Sequence, residues 1–126
     1  MRNAKIDRTL SKYRAIPTVI DGIRFASKRE ARRYGELKLL ERAGKIFRLR
    51  LQPRFRLCAW TTKTGDGRNT IQELGAYVAD FAYCSTRGCD CPYGCTVEDS
   101  KGFRTPLYRW KKKHVEAQYG IQVREV

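Results

Sequence analysis

The sequence contains no long apolar run and few acidic residues. No stretch approaches the roughly 20 consecutive apolar residues that a transmembrane helix requires. Residues 1–14 hold five basic side chains, and no continuous apolar segment follows them as it would in a secretion signal. We therefore expect a protein that is neither secreted nor membrane-embedded and that works in the cytoplasm.

The shortage of acidic residues gives the chain a large positive charge. Against 27 Lys and Arg there are 13 Asp and Glu, which leaves a formal charge of +14 on 126 residues. Such an excess repels itself unless a polyanion is the usual partner, so we expect nucleic acid. Residues 1–14, with Arg14 at their end, read as a flexible basic arm or as a solubilising tail. Residues 15–126 are enough for one domain.

Turn and cap signals divide this domain into elements. Asp21-Gly22 predicts a β-hairpin over 18–27, and Ser27 and Gly44 are the expected cap and stop of a helix. Two β-rich stretches (46–60 and 71–83), a strand (96–101), a helix from Thr105-Pro106 to Gly120 and a last strand (121–126) follow. This order of hairpin, helix, three strands, helix and strand predicts an α/β fold with a mixed sheet flanked by helices.

Apolar spacing predicts which side chains face the core. In the first helix these are Tyr34, Leu37 and Leu40, and in the second they are Leu107, Tyr108, Val115 and Tyr119. We expect Cys58 to lie in the core. The only histidine, His114, is expected at the surface or facing DNA.

Carboxylates interrupt two of the apolar strands. Asp80 ends one strand, and Asp99 and Lys101 share a face of another strand while Glu98 points to the opposite face. If the two strands are neighbours, Asp80 and Asp99 converge and supply hard oxygen ligands for a divalent cation. Lys101 would then orient an attacking water or stabilise charge on a phosphate.

Each of these residues also has a structural interpretation. Glu30 lies in the first turn of the long helix, and Ser27 and Glu30 together form a capping-box pattern. Asp99 and Lys101 would serve equally as an ion pair, and Asp80 as a turn residue at a strand end.

Four cysteines crowd into twelve residues. Cys84, Cys89, Cys91 and Cys95 alternate with glycine and proline, which permit the turns that wrap a tetrahedral zinc. We therefore predict a zinc knuckle over 84–95, inserted between the two carboxylate strands; free thiols or one redox pair are the alternatives. Four thiolates would saturate the metal, so this zinc is expected to be structural rather than catalytic.

The second helix carries a run of cations. We expect its positively charged residues to contact a phosphate backbone, although a solvated helix face is the simpler alternative. The predicted DNA-binding residues are Arg109, Lys111, Lys112, Lys113 and, in the arm, Arg14.

Three motifs in this order resemble those of the PD-(D/E)XK nuclease superfamily. They are S-x-x-E at 27–30, A-D-F at 79–81 and D-S-K-G at 99–102, followed by the basic helix and a strand. The chain is most similar to a phage-borne group of small basic proteins, long catalogued as a domain of unknown function and grouped with phage-type Holliday junction resolvases. Alanine replaces the proline that usually precedes the first aspartate, which removes no ligand.

The resemblance implies a restriction-endonuclease-like fold and a homodimeric, Mg²⁺- or Mn²⁺-dependent DNA endonuclease that acts on branched DNA during recombination or replication. It implies Asp80, Asp99, the Ser100 carbonyl and Glu30 as metal ligands and Lys101 as the catalytic lysine. If the protein is encoded by a phage, it would work in the cytoplasm of the host bacterium. The alternatives are a non-catalytic zinc-containing nucleic-acid-binding protein and a phage inhibitor or accessory protein.

Overall fold

A computed structural model describes residues 17–61, 65, 67–100 and 104–126. Within these residues the chain is a mixed α/β fold in which two helices flank a sheet. Five strands, rather than the expected three, separate the helices. The elements are β1 (Thr18–Ile20), β2 (Ile23–Phe25), α1 (Lys28–Arg42), β3 (Phe47–Leu51), β4 (Arg54–Thr61), β5 (Thr70–Val78), β6 (Phe81–Cys84), β7 (Thr96–Asp99), α2 (Pro106–Tyr119) and β8 (Val123–Glu125).

The central sheet has the strand order β3-β6-β7-β8. β6 pairs antiparallel with both β3 and β7, and β8 lies parallel to β7. Because parallel neighbours need a crossover, α2 connects β7 to β8 as the helix of a βαβ unit. β1-β2 and β4-β5 form two separate antiparallel hairpins.

The side chains of β6 show how the core is divided between the faces of the sheet. Phe81 and Tyr83 pack with α1 and the β1-β2 hairpin, whereas Ala82, between them, packs with α2 and the β4-β5 hairpin. This is the alternation expected of a strand buried on both faces. The sheet therefore has an α1 face and an α2 face, each with its own apolar cluster.

The predicted turn and caps are confirmed. Asp21 and Gly22 both have positive φ, as a tight hairpin turn requires. The Ser27 hydroxyl accepts from the Glu30 amide at 3.2 Å, and the Thr105 hydroxyl accepts from the Tyr108 amide at 3.0 Å.

The predicted β-rich stretches each break into two strands. At the first break, Gln52 has positive φ and Pro53 has no amide hydrogen to donate, so a ladder cannot run through them. The second break, at residues 79–80, lies beside the first, because the Gln52 amide donates to the Asp80 carbonyl at 2.8 Å. The β4-β5 hairpin thus leaves the plane of the central sheet at one shared bend.

Three core predictions are wrong. Leu40 is 38 % exposed and Leu107 is 64 % exposed, because each lies at the edge of its helix's buried stripe, whereas Tyr34, Leu37, Tyr108 and Val115 are buried. Cys58 is only half-buried, and the register of β4 with β5 shifts between the buried Leu57 and Cys58. The predicted basic arm, residues 1–14, lies outside the described residues. No helix among the described residues is long and apolar enough to span a membrane.

Candidate functional site

Two acidic motifs meet where β6 begins and β7 ends. Phe81 pairs with Glu98 in the antiparallel register, so the next position on each strand places Asp80 opposite Asp99. The Ser100 amide donates to Asp80 Oδ2 at 2.6 Å, and the Asp80 amide donates to the Glu98 carbonyl at 3.0 Å. The structure therefore confirms that the strands of Asp80 and Asp99 are neighbours.

Asp99 lies on the α2 face of the sheet. Its side chain is fully buried, and the Tyr77 hydroxyl donates to its Oδ2. Burial and the negative charge of Asp99 raise the pKa of Tyr77 and bring that of Tyr108 to about 12. Both phenols therefore keep their protons at neutral pH and add no negative charge beside Asp99.

Glu98 lies on the α1 face and is also fully buried. Arg33 of α1 donates two hydrogen bonds to its carboxylate, at 2.8 and 2.7 Å, and the Tyr83 hydroxyl donates a third. Burial alone would raise the pKa of Glu98, but Arg33 and Tyr83 hold it below its usual value. Glu98 is thus a paired anion that fastens α1 to the central sheet. The predicted alternation of Glu98 and Asp99 is confirmed.

Glu30 is buried in the first turn of α1. Its amide completes the Ser27 half of the predicted capping box. Within the described residues, no three acidic or histidine side chains bring ligand atoms within 4.8 Å of one another, so Glu30 does not form one compact carboxylate group with Asp80 and Asp99. The predicted catalytic residue Lys101 lies outside the described residues.

Three thiols come together in the loop between β6 and β7. The Sγ atoms of Cys84, Cys89 and Cys95 all lie within 4.8 Å of one another, and those of Cys89 and Cys95 are 3.2 Å apart. Two sulfur ligands of a tetrahedral zinc with bonds of about 2.3 Å lie about 3.8 Å apart, which falls between these two distances. This cluster of three thiols can hold a metal such as zinc.

Cys91, the fourth thiol of the predicted set, is not part of this group of three in the structure. Its amide instead donates to Cys89 and, with the Cys95 thiol, lowers the pKa of Cys89. The hydrogen bond to Cys89, with burial and the neighbouring thiols, raises the pKa of Cys95 to about 12. Backbone geometry therefore directs the Cys91 amide, rather than its side chain, at the cluster.

The loop is fastened to the rest of the fold at several points. Arg48 donates to the Cys89 carbonyl and Arg50 to the Pro92 carbonyl, both at 2.5 Å. Gly94 has a φ of 89°, and a Cβ there would lie 3.1 Å from Ala82 Cβ, so the loop packs against β6 where only glycine fits easily. The thiols are thus held on a loop with fixed anchors.

The cations of α2 are not equivalent. Lys112 forms an ion pair with Glu125 at 2.7 Å, and the His114 ring lies 2.8 Å from the Cys58 carbonyl. His114 therefore joins α2 to β4, which corrects its expected surface or DNA-facing role. Arg109 and Lys113 are exposed and Lys111 is half-buried.

A second group of cations was not among the predicted DNA-binding residues. Arg29, Arg32 and Arg33 of α1 line one cleft with Arg124 of β8, and Ser100 forms part of its wall. The sequence signal is the spacing of the three α1 arginines, because residues three and four apart share a helix face. Arg124 joins them only because of the strand order, so the local sequence around it does not predict its place in the cleft.

Residues 10–125 match DUF1064, a family described as proteins of unknown function, and the chain belongs to that family. No curated protein and no solved structure matches it.

Proposed function

We propose that this DUF1064 family member is a metal-dependent endonuclease with a restriction-endonuclease-like fold that hydrolyses phosphodiester bonds in branched DNA. One observation carries the proposal. The Ser100 amide, next to Asp99, donates to the Asp80 carboxylate, and this contact joins the two acidic motifs at one edge of the sheet. The charge of +14 supports a polyanionic substrate.

The donor set at this edge fits a hard divalent cation. Asp80 and Asp99 offer carboxylate oxygens and Ser100 offers a carbonyl, which are ligands that Mg²⁺ and Mn²⁺ accept. Glu30 is proposed as a direct or water-mediated further ligand. When bound, such a cation supplies Lewis acidity and lowers the pKa of a coordinated water.

The chain's own residues have distinct parts in this proposal. Lys101 stabilises the negative charge that develops on the phosphate. The Tyr77 hydroxyl holds one oxygen of Asp99 and so fixes the orientation of its carboxylate. A homodimer would supply the two symmetric incisions that a four-way junction needs.

The thiol cluster is proposed as a structural zinc site within the same protein. It joins the ends of β6 and β7 that lie away from Asp80 and Asp99, and its anchors to β3 and β6 make it a clamp that keeps these two strands together. Three thiols leave the fourth ligand of a tetrahedral zinc to another group, and we propose Cys91, which lies in the same loop, for that place.

A non-catalytic zinc-containing nucleic-acid-binding protein is the second candidate. It is favoured by a difference between the two sets of possible metal ligands. Three thiols lie within 4.8 Å of one another, whereas no three of the described carboxylates do. In this alternative Asp80 and Asp99 serve only to join β6 and β7.

Cleavage assays separate the two candidates. Purified protein is incubated with labelled four-way junction, flap, linear duplex and single strand, with Mg²⁺, Mn²⁺ or EDTA. The endonuclease proposal predicts metal-dependent cutting, fastest on branched DNA, and no cutting by Asp80→Asn protein that still binds the same DNA. Binding without cutting under every condition would support the second candidate.

The zinc proposal is tested on protein purified without added metal. Elemental analysis should find one zinc per chain, and Cys89→Ser should release it and lower the melting temperature, because the metal binds only the native state. Cys58→Ser, outside the cluster, is the matched control and should retain the zinc. Full thermal stability of metal-free protein would contradict the proposal.

A further inference from the structure

The arginine cleft on the α1 face has the properties of a phosphate-binding surface. Arg29, Arg32 and Arg33 project from successive turns of α1, and Arg124 faces them from β8. In the parallel register Arg124 lies beside Glu98, and its charge helps to lower the pKa of that carboxyl. Four guanidinium groups thus converge from two elements that are far apart in sequence.

The charge of the cleft is only partly compensated. Arg33 is held by Glu98 and by Glu36, the latter at 2.8 Å, and Arg29 donates to the main-chain oxygen of Val126 at 2.6 Å. Arg32 and Arg124 are exposed, and among the described residues no carboxylate forms an ion pair with either. The four guanidinium groups therefore meet two side-chain carboxylates and, where the chain ends at Val126, its terminal carboxylate, so the cleft keeps an excess of positive charge.

The position of the cleft points to a polymer rather than to a small anion. Ser100 forms part of its wall, and the Ser100 amide contacts Asp80. A chain of phosphates in the cleft would therefore reach the end of β7, where the motifs of Asp80 and Asp99 meet. Guanidinium groups match phosphate oxygens in two-pronged hydrogen bonds, and exposed arginines suit a ligand that is held at several points.

We infer that this cleft binds the sugar-phosphate backbone of a DNA strand and guides it to the acidic edge of the sheet. The inference rests on the proposed function for its choice of DNA. Arg32 and Arg124 make the principal phosphate contacts, because they are exposed and carry no ion pair within the described structure. Arg33 positions α1 through Glu98 and contributes charge.

Salt dependence of binding measures this role without any need for catalysis. Each arginine that neutralises a phosphate adds about 0.9 to the slope of log affinity against log salt concentration. The double variant Arg32→Ala/Arg124→Ala should therefore lower that slope by about two. Binding is measured by fluorescence anisotropy with labelled duplex and four-way junction in EDTA.

A control double variant removes the same amount of charge elsewhere. Arg42→Ala/Lys45→Ala lies at the far end of α1, about 15 Å along the helix from Arg32, and both side chains are exposed. It should leave the slope within about 0.5 of wild type, because it removes charge without removing a phosphate contact. Equal slopes for the two double variants would overturn the inference.

Two further measurements keep the test decisive. Arg32→Gln/Arg124→Gln retains most of each side chain and should lower the slope of log affinity against log salt concentration by the same amount. This second variant keeps the test valid if the alanine variant misfolds. Unlabelled duplex RNA and unlabelled duplex DNA of the same sequence are compared as competitors. If less RNA than DNA were needed to displace the labelled DNA, DNA would be overturned as the occupant of the cleft.

The results also separate this inference from the proposed function. If the protein cuts no DNA, and the salt dependence of DNA binding falls only in the cleft variants, the endonuclease proposal is refuted and the inference about the cleft is supported. A protein that cuts DNA equally well with and without the two arginines, at an unchanged slope, would refute the cleft alone.

Discussion

Glu98 and Asp99 are neighbours on β7 and both are fully buried, but their partners on the two faces of the sheet differ. On the α1 face a guanidinium and a phenol hold Glu98. On the α2 face Asp99 receives a hydrogen bond from Tyr77, and Tyr108 lies close enough for the charge of Asp99 to raise its pKa. A buried carboxylate held by a two-pronged arginine serves the structure, and in the proposed function Asp99, on the other face, is the carboxylate that would serve a cation.

The largest expected effect is on catalysis and tests this division directly. Asp99→Asn should lower the single-turnover cleavage rate by about 100- to 1,000-fold, because it removes a ligand whose charge supports the transition state. Glu98→Gln should cost less than about tenfold when measured at a temperature where circular dichroism shows it folded. DNA binding in EDTA should remain within about twofold for both. Equal losses of cleavage would show that the two faces are not specialised.

The next effect is on stability and concerns the α1 face. Arg33→Ala leaves Glu98 as a buried charge without its cation, which typically costs about 3–5 kcal/mol. The Arg33 side chain is 23 % exposed, so water softens the loss and we expect about 3 kcal/mol in the free energy of unfolding. Urea denaturation measures it.

Arg32→Ala is the matched control, since Arg32 is the exposed neighbour on the same helix and should cost less than about 0.5 kcal/mol. If Arg33→Ala were as mild as Arg32→Ala, Glu98 would not depend on its arginine, and its assignment to structure would be wrong.

Local chemistry made the opposite orientation of Glu98 and Asp99 predictable. The period of two along a strand fixes the faces once the strand is recognised, and capping by Ser27 and Thr105 follows equally from near neighbours in sequence. The partners of Glu98 were not predictable, because Arg33 is 65 residues away and the meeting depends on how α1 packs on the sheet. The same limit hid Arg124 from the arginines of α1.

The cysteine loop shows the same limit at shorter range. Its composition predicted a metal site, and three thiols do converge. The spacing of the cysteines did not predict that the Cys91 amide donates to Cys89, because this contact depends on backbone angles within the loop. The bend at Gln52 and Pro53 was likewise missed, since the residues before it and after it both favour strands.

A smaller effect distinguishes the phenols of the two faces. Tyr77→Phe removes the hydroxyl that donates to Asp99 and should cost about 1.5 kcal/mol of unfolding free energy, as expected for a buried hydrogen bond to a charged group. It should also change the Mg²⁺ concentration that gives half-maximal cleavage, because the carboxylate loses its fixed orientation.

Tyr83→Phe is the matched control on the α1 face, where Arg33 still holds Glu98. It should cost less stability than Tyr77→Phe and leave the Mg²⁺ dependence unchanged. A change in Mg²⁺ dependence in both variants would mean that the α1 face also takes part in metal binding.

The smallest effect concerns a less buried carboxylate on the α1 side. Glu41 accepts from the Leu49 amide at 3.1 Å and pairs with Lys38 at 3.0 Å. Burial would raise the pKa of Glu41, but these two contacts hold it below its usual value near 4.5. A carboxyl whose pKa is lower in the folded state stabilises the fold above its unfolded pKa, and this contribution is lost as the pH falls through the folded pKa. Glu41→Gln should therefore cost less than about 1 kcal/mol at pH 7, and the difference between wild type and variant should shrink as the pH falls below 4.5. Thermal unfolding across this pH range measures the difference, and a gap that persists or widens in acid would show that the charge of Glu41 contributes nothing.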